Sequence, residues 1–277
     1  MPKLKTDPLS GLFLLQYKNN VKKDVFGHLL ENCDLDETGR LYENSKIIMK
    51  LLDKLFENKY YFIRENIKEI LIENEDSYLI IILAAGKSPL ALDLLESNYG
   101  KIEKIFEIDK EDMQAKKQIY DTFYPTLCDK IKCISADFKS AGILSNLSRL
   151  ISEYYADKSC IIVYEGFTFL LEEEDICRII KSFRSTERKN FFFLDFIDFD
   201  SGNEKMVFAD FLKFFKNQNP ENIIKLHKSS RLKDIFEKEN SRLQLIRSQN
   251  EIENLRAGQK EVLPGNQNIF SYTLWNI

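Results

Sequence analysis

The chain has 277 residues, of which 44% are apolar and 30% are charged, and its formal net charge is −4 at pH 7. Its apolar runs, such as residues 79–85, are far shorter than the roughly 20 residues of a membrane-spanning helix, and its N-terminus lacks the cleavage site of a signal peptide, so we expect neither a membrane protein nor a secreted one. The acidic balance, with lysines spread among carboxylates, argues against a nucleic-acid partner.

The cysteines and histidines do not have the spacing of a metal site or of a disulfide framework. The five cysteines are scattered without a CxxC pair, and the two histidines, His28 and His227, lie far apart. Cys160 lies in an apolar run and Cys177 in a helical pattern, so we expect both to be small buried hydrophobic residues. The sequence therefore predicts a protein of the reducing cytoplasm without a metal site.

Residues 1–75 are predicted to be helical. Apolar residues recur near helical spacing over residues 12–30, 44–56 and 60–73. A segment rich in Asn, Asp and Gly at Glu31–Tyr42 is predicted to be a break between the first two helices. No strand pattern occurs here, so we expect an N-terminal helical cap over residues 1–75.

The pattern changes at Tyr78, where a continuous apolar run of the kind found in strands buried on both faces begins. Strands and helices then alternate. The five predicted strands are 78–86, Ile102–Ile108, Ile131–Ala136, Cys160–Tyr164 and Asn190–Ile197. The helices between them are Ala91–Glu96, Lys110–Phe123, Ser140–Tyr155 and Glu172–Phe183.

The end of the chain departs from this alternation. Two helices are predicted at Met206–Phe215 and Ser230–Asn240, followed by β-like runs at Leu243–Arg247 and Ile269–Trp275 with a turn around Pro264–Gly265. These features predict an α/β doubly wound fold with a seven-stranded, mostly parallel sheet and an antiparallel edge pair. We expect this domain to cover residues 76–277, with a helical insert at about 200–228.

Ligands of open α/β sheets bind at the carboxyl ends of the strands, so the residues there are the candidates for a site. Ala84, Ala85 and Gly86 form a small-residue turn that lets a ligand approach the backbone, although such a turn can also simply join two elements. The second strand ends with Glu107 and Asp109, and an acid about 20 residues after the turn can bind a ribose diol. The alternative is that these two are solvated charges or helix caps.

The third and fourth strands end in further polar residues. Asp137 and Phe138 could bind a purine through its amine and its face, or Asp137 could cap a helix. Glu165 follows a buried strand, and a carboxylate there is costly unless it is paired or binds a ligand such as an ammonium group. The turn after the first strand lacks the GxGxxG pattern and the Walker spacing, which disfavours a nicotinamide dehydrogenase.

Several segments together resemble the leucine carboxyl methyltransferase family, a branch of the class I S-adenosylmethionine-dependent methyltransferases. They are IIILAAG, IFEIDK, CISADF and IVYEGFTFLLEEEDICRIIKSF, within about residues 59–197. The resemblance implies a Rossmann-like class I methyltransferase fold with S-adenosyl-L-methionine as cofactor.

The resemblance also implies roles for individual residues. Ala84–Gly86 would approach the methionine part of the cofactor, Asp109 the ribose, and Asp137 with Phe138 the adenine. Glu165 would lie near the cofactor's amino group and the transfer site. Lys59 falls where the family usually has an arginine for the cofactor carboxylate.

The chain departs from the family pattern in ways that leave the substrate open. Ala84 replaces the first glycine of the turn, Lys87–Ser88–Pro89 replaces Asp-Thr-Arg, and the family's N-terminal substrate signature is not recognisable in residues 1–58.

The predicted function is methylation of a carboxyl or hydroxyl on a small-molecule acceptor, with no nucleic-acid or membrane partner and an undetermined oligomeric state. His227 lies in the insert, where it could reach the site as a base, but a surface position is the simpler expectation. One alternative is an aminocarboxypropyl transferase of the nicotianamine-synthase type, because SPLALDLL after the turn looks similar to that enzyme's loop. Another is a non-catalytic scaffold, suggested by the altered turn.

Overall fold

The computed structural model describes residues 3–17, 21, 23–48, 52–197, 209, 213, 216–217, 225, 227–258 and 270–277. Its helices are α1 (Pro8–Tyr17), α2 (Lys23–Asn32), α3 (Asp36–Ile48), α4 (Leu52–Glu73), α5 (Leu90–Asn98), α6 (Met113–Phe123), α7 (Pro125–Cys128), α8 (Ile143–Tyr154), α9 (Glu173–Phe183), α10 (Ser229–Lys238) and α11 (Gln249–Ala257). Its strands are β1 (Tyr78–Leu83), β2 (Ile102–Asp109), β3 (Ile131–Ser135), β4 (Ser159–Tyr164), β5 (Phe191–Ile197), β6 (Arg242–Ser248) and β7 (Phe270–Asn276).

The N-terminal region is helical, as predicted, but its helices have different bounds. The predicted break at 31–42 is wrong over most of its length, because α3 begins at Asp36 and its polar residues Asp36 and Glu37 form the solvent face of a helix that buries Thr38 and Leu41. The two helices predicted at 44–56 and 60–73 are also wrong in their bounds. A single 22-residue helix, α4, starts at Leu52, since its buried face continues without interruption.

The sheet has seven strands in the order β3-β2-β1-β4-β5-β7-β6, which confirms the predicted fold class. The first five strands are parallel, and β7 runs antiparallel to β5 on one side and to β6 on the other. This order places β1 between β2 and β4. The carboxyl ends of these three strands therefore lie next to one another, where the candidate residues follow them in the sequence.

Two apolar layers cover the sheet. Ile80 and Ile82 of β1 face a core that includes residues of α1–α6, whereas Leu79, Ile81 and Leu83 face a second core built with α8, α9 and α10. Burial on both faces explains why β1 is apolar at every position.

The final part of the chain contains one helix that the sequence pattern did not predict. α11 follows β6 directly, and Ser248 begins it with a capping box, in which its side chain accepts from the Glu251 N–H while the Glu251 carboxylate accepts from the Ser248 N–H. Of the predicted helix at 206–215 the structure describes only residues 209 and 213, which are helical, and the predicted turn at 264–265 lies outside the described residues. Over the described part of the chain, no helix is both long and apolar enough to cross a membrane.

Candidate functional site

The turn after β1 has an unusual backbone conformation. Ala84 and Gly86 have φ values of 56° and 41°, in the left-handed region that favours glycine. The turn is fastened to the end of β2, because the Ala85 N–H donates to the Ile108 carbonyl (3.2 Å) and the Gly86 N–H donates to Asp109 Oδ2 (2.9 Å). A Cβ at Gly86 would clash with the Ser10 hydroxyl of α1, so this position requires glycine on two counts.

Asp109 holds the turn through one carboxylate oxygen and its own loop through the other. Its Oδ1 accepts a hydrogen bond from the Glu111 N–H (2.9 Å). The predicted alternative of a helix cap is wrong, since Asp112 caps α6 by accepting from two N–H groups of its first turn. Each Asp109 oxygen keeps a further lone pair, so the carboxylate can still accept from a hydroxyl-bearing ligand.

Glu165 is a buried carboxylate with one unsatisfied oxygen. It follows β4, its side chain is 1% exposed, and its Oε1 accepts from the Ser88 hydroxyl. Its Oε2 accepts no hydrogen bond of good geometry from any residue that the structure describes, although the Tyr17 hydroxyl lies close enough to the carboxylate to lower its pKa. Burial raises the pKa of Glu165 to about 7, even though the Ser88 hydrogen bond acts in the opposite direction.

The Glu165 loop rests on a buried cation. Lys59 of α4 is 3% exposed, and its Nζ donates to the carbonyls of Glu165 (2.9 Å) and Gly166 (2.6 Å) and to Asp195 Oδ1 (3.1 Å). These three acceptors match the three N–H donors of an ammonium group. The structure therefore brings Lys59 beneath the loop after β4, and its role in binding a cofactor carboxylate stays a prediction.

The remaining predicted residues lie around the site. Glu107 forms a buried ion pair with Lys116 (2.8 Å) on the face of the sheet that α6 covers. Asp137 is exposed and accepts from the Lys139 N–H (2.9 Å), a turn contact. Phe138 is buried, and its ring meets the ring of Tyr164 edge-on at 5.9 Å.

One cavity of about 150 Å³ connects several of these groups. Its walls come from α1, the turn after β1, the end of β2 and the loop after β4. The lining residues are Asp7, Ser10, Phe13, Ala84, Ala85, Gly86, Lys87, Ser88, Asp109, Lys110, Glu111, Tyr164, Glu165, Gly166, Phe167 and Leu170. Of the predicted site residues, the cavity thus brings together the whole turn after β1, Asp109 and Glu165.

α1 forms the remaining wall: the sequence predicted a helical cap here but did not single out which of its residues would line the site. Ser10 Oγ accepts from the Lys87 N–H (3.0 Å), and Lys87 Nζ lies 2.7 Å from Glu111 Oε2. Tyr17, also on α1, is fully buried beside Glu165; burial and then the Glu165 charge raise the pKa of Tyr17 well above its usual value. Ser10 and Lys87 are 77 residues apart, and no local sequence pattern predicts a contact over that distance.

Three predictions outside the cavity can also be compared with the structure. The expected surface position of His227 is wrong, because the side chain is buried and its Nε2 lies 2.8 Å from the Leu171 carbonyl oxygen. Cys160 is buried, as predicted, whereas Cys177 is only half-buried, because it lies on the outer side of α9.

Comparison with known proteins gives structural matches only. No family model matches the sequence, and no curated protein matches it. A DUF574 family protein from Streptomyces avermitilis MA-4680 superposes with a TM-score of 0.62 at 9% identity, covering 94% of this chain and 99% of that one. A candidate methyltransferase from Thermobifida fusca YX superposes with a TM-score of 0.57 at 11% identity, covering 92% and 94%.

A third match extends over nearly the whole chain. The CurJ carbon methyltransferase superposes with a TM-score of 0.51 at 9% identity, covering 98% of this chain and 67% of that one. At these identities the matches show the fold, which is the α/β fold of class I methyltransferases. They do not confirm the leucine carboxyl methyltransferase family.

Proposed function

We propose that this protein is an S-adenosylmethionine-dependent methyltransferase that transfers a methyl group to a carboxyl or hydroxyl of a small molecule. One observation carries the proposal: a single cavity at the carboxyl edge of the sheet combines the left-handed turn, Asp109 and a buried Glu165 whose Oε2 no described residue satisfies. Ligands of open α/β sheets bind at this edge. The class I methyltransferase fold supports the same conclusion.

The residues of the cavity fit the chemical groups of this cofactor. Asp109 suits a ribose diol, because its two oxygens can each accept one more hydrogen bond. The unsatisfied Glu165 oxygen leaves a place for a donor from the acceptor, the second substrate, since a buried acceptor atom without a partner costs about 1–3 kcal/mol. Phe13 and Phe167 form an apolar wall that excludes water from the same space.

Binding also requires the cavity to widen. Its volume of about 150 Å³ is below the roughly 300–1,000 Å³ of small-molecule sites. The first turn of α1 is the wall to move, because Ser10 covers the turn after β1 and holds the Lys87 N–H. We infer that this contact opens when the cofactor enters.

The bound cofactor would supply a methyl group on a positively charged sulfur. The protein's own contribution is then to orient the cofactor and the acceptor and to exclude water from the site. Asp109 fixes one end of the ligand, the turn at Gly86 provides close backbone contact, and the Lys59 ammonium holds the loop that carries Glu165.

Calorimetric titration with S-adenosylmethionine tests the proposal. We expect micromolar binding by the wild-type protein and a loss of affinity of at least tenfold in Asp109→Ala, because each lost hydrogen bond to a charged group is worth about 1.5–3 kcal/mol. Asp112→Ala is the matched control, since it removes a neighbouring carboxylate that caps α6 outside the cavity.

The outcomes separate the alternatives. No binding at millimolar cofactor, or equal losses in Asp109→Ala and Asp112→Ala, would contradict the proposal and favour the scaffold. Product analysis then identifies the group transferred. S-adenosylhomocysteine indicates methyl transfer, whereas methylthioadenosine indicates aminocarboxypropyl transfer.

A further inference from the structure

We propose that Glu165 is the catalytic base of this site and that the acceptor is a phenol-type hydroxyl on an aromatic body, which gives its proton to Glu165 Oε2. This inference rests on the proposed function and narrows its acceptor class. Four features of Glu165 support it: its hydrogen bonds, the backbone contacts that hold it, its charged neighbours and the apolar side chains beside it.

The hydrogen bonds of Ser88 single out Oε2 as the available oxygen. The Ser88 Oγ accepts from the Leu90 N–H (3.2 Å), so its one hydrogen is directed to Glu165 Oε1. Oε2 is left without a donor from the described part of the chain, although the residue lines the cavity and is almost completely buried. A proton accepted there would satisfy the oxygen.

The carboxylate is held on a rigid support, as a base must be to meet its substrate in one geometry. The Glu165 N–H donates to the Leu83 carbonyl at the end of β1 (3.0 Å), and its own carbonyl accepts from Lys59. The following residues are fixed by Tyr164, whose hydroxyl donates to the Phe167 carbonyl (3.2 Å).

The groups around Glu165 leave it able to exchange a proton near neutral pH. The facing charged and titratable groups are Tyr17 on α1, Lys59 and Tyr60 on α4, and Lys116 on α6. Both lysines favour the ionised form, but burial outweighs them and the pKa is about 7. Tyr17 is not the base, because burial and the neighbouring Glu165 keep its hydroxyl protonated.

The walls beside Glu165 favour a flat, apolar acceptor. Phe13 and Phe167 lie 5.3 Å apart at their ring centroids, and Leu170 completes this side of the cavity. A carboxylate acceptor would place a second negative charge beside Glu165 and would need no base. A phenol, with a pKa of about 10, is acidic enough for a base of this strength.

Loss of the acceptor's proton and transfer of the methyl group are coupled. The acceptor's O–H bond breaks and its proton moves to Glu165 Oε2, while the acceptor oxygen forms a bond to the methyl carbon of a sulfonium donor. The carbon–sulfur bond breaks and its electron pair remains on sulfur, which becomes a neutral thioether. Glu165 then releases the proton to water when the products leave.

Glu165→Gln tests the inference with two phenols of different acidity. With p-cresol, which needs a base, we expect kcat at pH 8 to fall by about 100-fold or more and the pH dependence near 7 to disappear. With 4-nitrophenol, which ionises near neutral pH on its own, we expect a loss of less than tenfold. Glu165→Asp keeps the carboxylate and should recover part of the p-cresol activity.

Two readouts do not depend on turnover. Infrared difference spectra between wild type and Glu165→Gln should show one buried carboxylic acid that ionises with a midpoint near pH 7. Calorimetry should show S-adenosylmethionine affinities for the two proteins within about threefold.

Several results would overturn the inference. A loss of cofactor affinity of tenfold or more in Glu165→Gln, with the pH dependence of kcat intact, would make Glu165 a ligand of the cofactor's ammonium. Equal losses with both phenols would exclude a base, and a cofactor-binding wild type that methylates neither phenol would exclude this acceptor class. Failure of the wild type to bind cofactor would instead refute the proposed function itself.

Discussion

The stability of the protein should depend on pH through Glu165, and the substitution Glu165→Gln should remove that dependence. In the folded protein, burial raises the pKa of this carboxyl from 4.5 to about 7, whereas in the unfolded chain it returns to its ordinary value. Between these values the folded state binds one more proton than the unfolded state. By proton linkage, the contribution of Glu165 to stability is therefore complete below pH 4.5 and is lost as the pH rises through 7.

The size of the effect follows from the two pKa values. They differ by about 2.5 units, from 4.5 to about 7, and each unit corresponds to 1.36 kcal/mol, so the wild type loses about 3 kcal/mol from this group between pH 4.5 and pH 8. Glutamine has a similar shape and does not ionise in this range. The difference in unfolding free energy, wild type minus Glu165→Gln, should therefore fall by about 3 kcal/mol over the same interval.

Urea denaturation followed by circular dichroism, repeated at half-unit steps from pH 4.5 to pH 8, measures this difference. Other titrating groups cancel because they are present in both proteins. Glu69→Gln, on the exposed face of α4, is the matched control and should follow the wild-type curve in parallel. A constant difference between wild type and Glu165→Gln across the whole range would refute the raised pKa and the burial argument behind it.

Three further substitutions test the packing around the site. Lys59→Met should lower the unfolding free energy by about 3–5 kcal/mol in urea titrations, because it leaves a buried carboxylate partner without its cation; a cost below 1 kcal/mol would contradict this. Gly11→Ala should lower the unfolding free energy by about 1–3 kcal/mol, since the added Cβ would lie 2.9 Å from Thr38 Cγ2. In a double-mutant cycle, Thr38→Ala should recover part of that loss. Ser10→Ala should tighten S-adenosylmethionine binding severalfold in calorimetry. The substitution removes the hydrogen bond from the Lys87 N–H, worth roughly 1 kcal/mol, that binding must break. Weaker binding would show that Ser10 holds the ligand instead.

The local sequence was sufficient to predict the α/β alternation and the edge at which a site forms. Strands buried on both faces are continuously apolar, as in β1, and this signal does not depend on which elements cover them. Helix bounds were less accurate where polar residues lie on a solvent face, as in α3, and α11 was missed because its capping box begins directly at the end of β6.

The sequence also determined which residues end neighbouring strands. Ala84–Gly86, Asp109 and Glu165 follow β1, β2 and β4, and parallel strands that are adjacent bring such residues to one edge. Glu107 and Asp137 also lie near the carboxyl ends of strands, but neither lines the cavity. The direction of a side chain at such a position determines what it contacts. Glu107 points to the buried face beneath α6.

Only the tertiary structure decided what closes the cavity and how Glu165 behaves. Ser10 meets Lys87 across 77 residues, and Lys59 meets the Glu165 loop across 106 residues, so neither contact leaves a periodic signal in the sequence. The same is true of the raised pKa, because it depends on burial in the folded protein and not on the residues next to Glu165 in the sequence. A sequence specifies that a carboxylate ends a strand, but the protonation of that carboxylate is set by the elements that fold over it.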